Sequence, residues 1–494
     1  MDGSRFKKLR FEISVILACL LTAAVFITIC SKNSFLYPMN DWGDANCFFT
    51  VGKAISKGKL LYRDIFEQKG PLLYFLYALA YRISPESFFG AYIIELLSFS
   101  AFLYTANKCL RLYTDKKLLH IGLLPFLACA VSLSIAFYHG GSVEELSLFC
   151  LTYGMYLFLR MEKGLAVSKK MHIASGLAIG YVFWIKYTVL GLFAGGFVYI
   201  FYRLVKQKKY GDIGKICTLN FLGFAFVSMP VVAYFIAENG LEYLWQGYFY
   251  NNIFVYSDGK FILVKLGLTL VYTVVTLALN IPYSVFAVLG IAWVFYTKKQ
   301  EARLLAFLAG FSAFFIYFGG VNYKYYGLPL CIFAIFGMYG VAEWLGKNGW
   351  LKAKVFGVLL ALLPLVSYLL GSNTYLMKYE KSDMPQYKFA ETINKVDDPT
   401  LFNYGFLDGG FYFAADIVPT NKYFCKLNFE SDEKTAETVN SILQGKTDFV
   451  VCWDKPLETD FEEEIPYVCV DTAVHYFQGE DHTYYLYQRV NVKQ

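Results

Sequence analysis

Apolar segments about as long as membrane-spanning helices follow one another along residues 12–371 of this 494-residue chain. A helix needs about 20 apolar residues to cross the roughly 30 Å of hydrocarbon in a bilayer. Charged residues make up only 17% of the chain, whereas soluble domains carry about 25%. The sequence therefore predicts an α-helical polytopic membrane protein with about 11 transmembrane helices. The predicted spans are 12–30, 88–110, 119–138, 142–160, 171–186, 188–205, 216–237, 280–297, 302–320, 327–346 and 354–371.

Lysine and arginine are concentrated in every second loop between these spans, beginning with the segment RFKKLR before the first one. Basic loops face the cytoplasm. This pattern predicts a cytoplasmic N-terminus, and it places a long first loop, residues 31–87, on the outer side. The apolar stretch 264–279 is interpreted as a re-entrant helix on the outer side, because one additional span would break the alternation.

The C-terminal part of the chain has the opposite charge. From Gly371 onward there are 11 Lys and Arg against 21 Asp and Glu, whereas the preceding part holds 34 basic and 18 acidic residues. Two regions in two environments explain this difference, so we predict a transmembrane domain at 1–371 and an extracytoplasmic domain at 372–494. The motifs LFNYG, DFVVCW, PYVCV and TYYLYQRV are typical of strands. SDEKTAETVNSILQG predicts a helix that begins at a Ser or Asp cap and ends at Gly445, which gives a small α/β domain.

The first outer loop contains charges of both signs between two apolar segments. Charge beside a bilayer is costly, so these residues are candidates for a functional site. Asp44 is interpreted as the N-cap of the helix that follows, a role compatible with that of a base that accepts a proton from an acceptor. Asp41 is either an ordinary loop residue or a group that orients an acceptor or a metal ion. Lys69 is either a snorkelling lysine or a point charge for a phosphate, which Arg63 could also contact.

Further charged residues lie beside later spans. Glu144 and Glu145 begin a span, where acidic residues stabilise the helix dipole, and they could instead orient an acceptor or bind a metal ion. Lys186 lies deep in the apolar stretch IGYVFWIKYTVLGLF, and its cost there predicts a partner anion. Lys324, in VNYKYYGLPL, is either an interfacial lysine in an aromatic belt or another cation for a phosphate.

Several classes of site have no support in the sequence. There is no Walker A, GxGxxG or HExxH motif, and the eleven cysteines form no CxxC pair or metal-ligand spacing. Nothing therefore indicates a nucleotide cofactor or a nucleic-acid partner. The participation of a divalent cation is left open, because carboxylates alone do not separate a metal ligand from a base.

The order and sidedness of these motifs resemble the GT-C membrane glycosyltransferases over residues 12–371. The similar branch is family 39, the protein-mannosyltransferase-like group that includes bacterial aminoarabinose transferases. The resemblance implies an enzyme of a bacterial cell membrane. It would transfer a sugar, with inversion, from a polyprenyl-phosphate donor to a lipid, glycan or protein acceptor on the outer face.

The same resemblance implies roles for individual residues. Asp44 corresponds to the aspartate of the first loop that acts as a base or orients the acceptor, and Lys69 in QKGPLLYF corresponds to a lysine that contacts the donor phosphate. Glu144 or Glu145 corresponds to an acidic residue at the start of the fourth span. Lys186 in GLAIGYVFWIK corresponds to a lysine often found in the family, and Lys324 stands where the family has a basic or polar residue. The alternative is a transporter or flippase of a lipid-linked sugar, which should show paired similar halves; the sequence shows no clear internal repeat, so we favour the enzyme.

Overall fold

The computed structural model describes residues 3–255, 261–297, 299–350, 352–428, 431–477 and 479–490, and it describes the side chains of these residues except 3–5 and 299. The chain divides into two compact units. Unit 1 comprises Met1–Ser31, Tyr92–Val231 and Asp258–Thr374. Unit 2 comprises Lys32–Ala91, Val232–Ser257 and Tyr375–Gln494. The domain boundary at residue 371 stays a prediction.

Helices form most of the structure. The α-helices are α1 (Gly3–Cys30), α2 (Gly43–Ser56), α3 (Pro71–Ile83), α4 (Phe89–Leu110), α5 (Lys117–His120), α6 (Leu124–Ser132), α7 (Val143–Glu162), α8 (Lys169–Lys186), α9 (Gly191–Lys206), α10 (Tyr210–Ala237), α11 (Leu241–Leu244), α12 (Ile262–Leu279), α13 (Ile281–Thr297), α14 (Lys299–Tyr317), α15 (Ala334–Lys347), α16 (Ala353–Leu370), α17 (Pro385–Ile393), α18 (Phe411–Ala414) and α19 (Asp432–Leu443). A π-helix covers Trp245–Val255, and 3-10 helices cover Tyr187–Val189, Lys324–Phe333, Thr374–Lys378, Lys381–Asp383 and Leu457–Asp460.

Within the described residues, six helical segments are long and apolar enough to cross a membrane. They are Phe6–Cys30, Phe89–Leu110, Tyr210–Ala237, Ile262–Leu279, Lys324–Lys347 and Ala353–Leu370. The helices α8 and α9 are long and apolar enough to cross a membrane only when they are taken together. They are bent by 109° at the break between them. The prediction of two separate spans at 171–186 and 188–205 is therefore replaced by one broken span or a re-entrant loop.

The segment 264–279 also differs from its prediction. It belongs to α12, an 18-residue helix that is apolar enough to cross a membrane, so its exclusion from the spans was wrong by length and composition. The segment was excluded only because an additional span would break the alternation of basic loops. That alternation does not reveal that α8 and α9 form a bent pair. Each of the eleven predicted segments contains a helix.

Glycine contacts set the packing of α13 against α15 in the core of unit 1. A Cβ added at Gly337 would lie 1.8 Å from the carbonyl oxygen of Phe286, and one added at Gly290 would lie 2.4 Å from the backbone nitrogen of Gly337. The two backbones are therefore in direct contact. Small residues allow this close approach between apolar helices, where dispersion forces replace the missing hydrophobic driving force.

The first loop, residues 31–87, contains two helices. These are α2 and α3, which pack together so closely that a Cβ at Gly52 would lie 2.5 Å from the backbone carbon of Tyr77. The sequence analysis predicted α2 but not α3, which begins at Pro71 after Gly70. The N-cap of α2 is Trp42, with no side-chain cap. The prediction of Asp44 as the N-cap was therefore wrong; Asp44 lies in the first turn, where its negative charge is favourable to the helix dipole.

The C-terminal part of unit 2 contains a four-stranded sheet in the order β1-β2-β4-β3. The strands are β1 (Leu401–Asn403), β2 (Phe449–Trp453), β3 (Tyr467–Phe477) and β4 (Glu480–Arg489). β1 and β2 are parallel, and the other pairs are antiparallel. All four predicted strands are present, and α19 begins at its predicted cap, where the Ser431 side chain accepts a hydrogen bond from the backbone N–H of Lys434. The prediction of a helical membrane protein with a small C-terminal α/β region is confirmed.

Candidate functional site

In unit 1, Lys186 is the last residue of α8, just before the break between α8 and α9. Its Nζ lies 2.6 Å from Glu144 Oε1, and the two side chains are 13% and 2% exposed. The same Nζ lies 3.8 Å from the centre of the Tyr326 ring, a cation–π contact. Because a lysine in apolar surroundings needs a countercharge, Glu144 is the partner anion that the sequence analysis expected.

The neighbouring carboxylates Glu144 and Glu145 have different contacts. Ser142 is the N-cap of α7, and its side chain accepts a hydrogen bond from the backbone N–H of Glu145. Glu145 Oε2 in turn accepts a hydrogen bond from the backbone N–H of Gly141 at 2.7 Å. The second oxygen of Glu144, Oε2, is buried and has no hydrogen-bond partner among the described residues. Glu145 therefore stabilises the start of α7 through hydrogen bonds, whereas Glu144 forms an ion pair with Lys186.

Lys324 begins the 3-10 helix Lys324–Phe333 and is exposed. Its Nζ lies 5.3 Å from the ring centre of Tyr138, and within the described residues it forms no ion pair. Tyr326, which contacts Lys186, follows Lys324 by only two residues. We therefore treat Glu144, Lys186, Lys324 and Tyr326 as one set of side chains and call it the Lys186 cluster.

The remaining predicted cations and the predicted base lie in unit 2. Lys69 Nζ lies 3.3 Å from Glu67 Oε1 and 5.6 Å from the centre of the Phe48 ring. Arg63 is half-exposed and pairs with its neighbour Asp64 through two hydrogen bonds of 2.7 and 2.8 Å. Asp44 is buried in the first turn of α2. Lys69 and Arg63 thus already have carboxylate partners, which a phosphate would have to displace or share.

Asp41 lies in a fully buried group of charges in unit 2. Its Oδ1 is 2.5 Å from Lys32 Nζ, and its Oδ2 is 3.2 Å from His475 Nε2. Burial lowers the pKa of Lys32, and the Asp41 carboxylate opposes this effect. The contacts of Asp41 indicate that it neutralises a buried lysine, and they link residues that are 434 positions apart in the sequence.

Sequence reasoning missed several buried polar residues. Glu95 in α4 accepts a hydrogen bond of 2.7 Å from the Ser31 hydroxyl, and its position in the apolar run AYIIELLSF was a signal that could have found it. Asp408 accepts hydrogen bonds from the Thr50 hydroxyl and the Gly410 N–H, and burial raises its pKa to about 6. Nothing in the local sequence distinguishes Asp408 or His475. The described residues contain no group of three or more His, Cys, Asp or Glu that could hold a metal ion.

Comparison with known proteins gives similarity at the level of structure. No protein-family model matches this sequence, and no curated protein matches it. The chain is similar to ArnT from Cupriavidus metallidurans bound to undecaprenyl phosphate, with a TM-score of 0.59 and 13% sequence identity over 98% of each chain. The apo state of the same protein gives a TM-score of 0.57 at 13% identity over 98% of each chain. The chain is therefore a multi-pass membrane protein with the ArnT-like GT-C fold.

Proposed function

We propose that the protein is a GT-C membrane glycosyltransferase. It moves a sugar from a polyprenyl-phosphate donor to a lipid, glycan or protein acceptor on the outer face of the membrane. The observation that carries this proposal is the similarity along 98% of the chain to a structure that holds undecaprenyl phosphate. The Lys186 cluster adds chemical support, because the partly buried Lys186 contacts Tyr326, which follows the exposed Lys324 by two residues.

The proposed reaction breaks the bond between the anomeric carbon of the sugar and the phosphate oxygen. The electron pair of that bond passes to the phosphate, whose negative charge increases in the transition state. Fixed cations in a site of low dielectric constant stabilise such charge strongly. We assign this role to Lys186 and Lys324. Glu144 pairs with Lys186 and fixes its position while no donor is bound.

The acceptor forms the new bond to the anomeric carbon on the face opposite the phosphate, which inverts the configuration. Its hydroxyl or amine proton needs a base, and we assign that role to Asp44. Lys69 and Arg63 remain candidates for the donor phosphate, and Asp41 and Glu145 for orienting the acceptor or a metal ion. The contacts of Asp41 and Glu145 favour structural roles instead, since both are already engaged with groups of the protein itself.

The substitution Lys186→Gln tests the donor site. We expect it to lower the rate of sugar transfer from a polyprenyl-phosphate donor by about 100-fold or more, the usual effect of removing one group that stabilises transition-state charge. Isolated membranes carrying equal amounts of each variant would be assayed with a radiolabelled donor. Asp44→Asn and Lys69→Ala would be assayed in parallel.

The chain supplies a matched control for Lys186. Lys163 Nζ lies 2.7 Å from Glu301 Oε1 and 4.3 Å from the centre of the Tyr113 ring, so it repeats the same combination of lysine, glutamate and tyrosine. Lys163 directly follows α7, whereas Glu144 lies near its start, so about 27 Å separate the two ends at 1.5 Å per residue. Lys163→Gln should therefore keep most of the transfer activity. Equal losses in both variants would reduce Lys186 to a structural role, and full activity in Lys186→Gln would refute the assigned site.

A further inference from the structure

The C-terminal α/β region contains a cavity of about 440 Å³ that the proposed reaction does not use. Its floor is formed by the ends of the parallel strands β1 and β2 and by the residues that follow them, Tyr404, Gly405, Asp454 and Lys455. One face of α19, which connects these strands, forms a wall. In sheets with parallel strands, ligands bind at the carboxyl ends of the strands, and small-molecule sites have volumes of about 300–1,000 Å³. Both the position and the size of the cavity are those of a ligand site.

The cavity is lined by three of the few lysines in an acidic region. Lys426, Lys434 and Lys455 line it, although the chain from Gly371 onward holds only 11 basic residues against 21 acidic ones. Lys434 is only 6% exposed, so one of the three positive charges is held inside the wall. Lys426 and Lys455 are exposed and form no ion pair within the described residues. By contrast, Lys388 and Lys422 in the same region pair with acidic side chains.

Two aspartates limit the positive charge of the lining. Asp454 and Asp460 also line the cavity, so the lining carries a net charge of about one unit. That balance suits a ligand with one anionic group and does not suit a polyanion. Asp454 already contacts His482 Nδ1 through Oδ2 and accepts a hydrogen bond from the Thr483 N–H through Oδ1. Each carboxylate oxygen can accept a second hydrogen bond, so a hydroxyl group of a ligand can still bind there. Trp453 also lines the cavity, but its ring already stacks on Phe406 and on His482, with ring centres 5.0 Å and 4.4 Å apart. Charge and hydrogen bonds, rather than stacking, would therefore select the ligand.

We propose that this cavity binds a small hydroxylated anion, namely a sugar that carries one phosphate or one carboxylate group. Lys426, Lys434 and Lys455 would bind the anionic group. Asp454 and Asp460 would accept hydrogen bonds from the hydroxyls. The hydroxyls of Thr435 and Thr438 on α19, which also line the cavity, offer further hydrogen bonds. This proposal does not depend on the assignment of the transferase site.

The test is calorimetric titration of the full-length protein in detergent with four probes: glucose 6-phosphate, glucuronate, glucose and inorganic phosphate. We expect saturable binding of the first two, at least tenfold tighter than that of glucose. The double substitution Lys426→Gln with Lys455→Gln should weaken both by at least tenfold. Both lysines are exposed, so the variant should fold normally. Lys446→Gln is the matched control, because Lys446 is an exposed lysine of the same region outside the cavity.

The outcomes separate the parts of the proposal. Binding lost in the double variant and retained in Lys446→Gln would support the site. The absence of saturable binding for both sugar acids, or equal affinity in the double variant, would overturn it. Equal affinity for inorganic phosphate and glucose 6-phosphate would overturn the assignment of a sugar. Since no transfer is measured, none of these results depends on the enzymatic activity.

Discussion

Single residues explain how unit 2 tolerates buried charge. Lys32, Asp41 and His475 have side chains that are at most 3% exposed; Lys32 and Asp41 form an ion pair, and His475 Nε2 lies 3.2 Å from Asp41. The Lys32 ammonium also lies 5.6 Å from the ring centre of Tyr375 and 5.5 Å from that of Phe477. A buried ion pair adds little net stability compared with apolar residues, but the loss of one partner leaves an uncompensated charge. Asp41 is therefore expected to matter for stability rather than for chemistry.

The substitution Asp41→Asn should lower the free energy of unfolding by about 3–5 kcal/mol, the usual cost of breaking a buried ion pair. Asp471→Asn is the control. Asp471 pairs with Lys388 at 3.1 Å, but the two side chains are 25% and 48% exposed, so the loss should stay below about 1 kcal/mol. Denaturant unfolding of the purified protein in detergent would measure both. Similar losses in the two variants would contradict this account of Asp41.

Asp408 should make the stability of unit 2 depend on pH. Burial raises its pKa to about 6 in the folded protein, whereas an aspartate in the unfolded chain has a pKa of about 3.9. The folded state therefore binds more protons between these values, and the free energy of unfolding falls by about 3 kcal/mol as the pH rises from about 4 to about 7. Asp408→Asn should remove this dependence and raise stability at neutral pH. Unfolding measured at a series of pH values would show it.

A second variant tests the cause of this pH effect. The Thr50 hydroxyl donates a hydrogen bond of 2.6 Å to Asp408 Oδ2, and it favours the charged form. Thr50→Val should raise the pKa of Asp408 further, so the pH-dependent loss of stability should become larger and extend to higher pH. An unchanged pH profile in both variants would show that Asp408 does not titrate in this range.

At the scale of elements, local signals were sufficient for some predictions and insufficient for others. The four strands and α19 follow from alternating apolar residues and a serine cap, which act over a few residues. The bend between α8 and α9 could not be predicted, because the apolar composition continues through it. The setting of Lys186, the last residue of α8, is shown only by its contact with Glu144, 42 positions earlier. Asp44 was assigned to the cap because its residue type fits that role, whereas the cap in the structure is Trp42, two residues earlier.

Gly337 tests the packing of α13 against α15. Gly337→Ala would place a methyl group 1.8 Å from a backbone oxygen of α13, so the helices must separate. Overpacking of this kind costs about 1–3 kcal/mol. Gly346 is the control in the same helix, because a Cβ there meets nothing within 4 Å. Gly346→Ala should be neutral or stabilising by up to about 1 kcal/mol. Thermal unfolding in detergent that ranks the two variants in the opposite order would contradict the close contact.

At the scale of the whole molecule, charge distribution and hydropathy were sufficient to predict a membrane protein with an acidic C-terminal region. The candidate site was predicted less completely. Lys186 was identified because the cost of a charge in apolar surroundings is visible locally, and Glu144 because it begins a predicted span. The partners of such residues are set by contacts between distant segments, as for Asp41 and His475, and no local pattern encodes these. The fold is shared at 13% identity, which agrees with the tolerance of packed cores for extensive substitution when volume and patterning are kept.

The orientation of the chain is the last prediction, and Cys469 provides its probe. Only Cys217 and Cys469 are exposed among the eleven cysteines; the other nine are buried. If the acidic region lies outside the cell, a membrane-impermeant maleimide should label Cys469 in intact cells, and Cys469→Ser should abolish the signal. Lys209→Cys, introduced into the Cys469→Ser protein at an exposed site of a basic loop, should be labelled only after the cells are permeabilised. The reverse pattern would place the acidic region in the cytoplasm, and it would exclude a proposed reaction on the outer face.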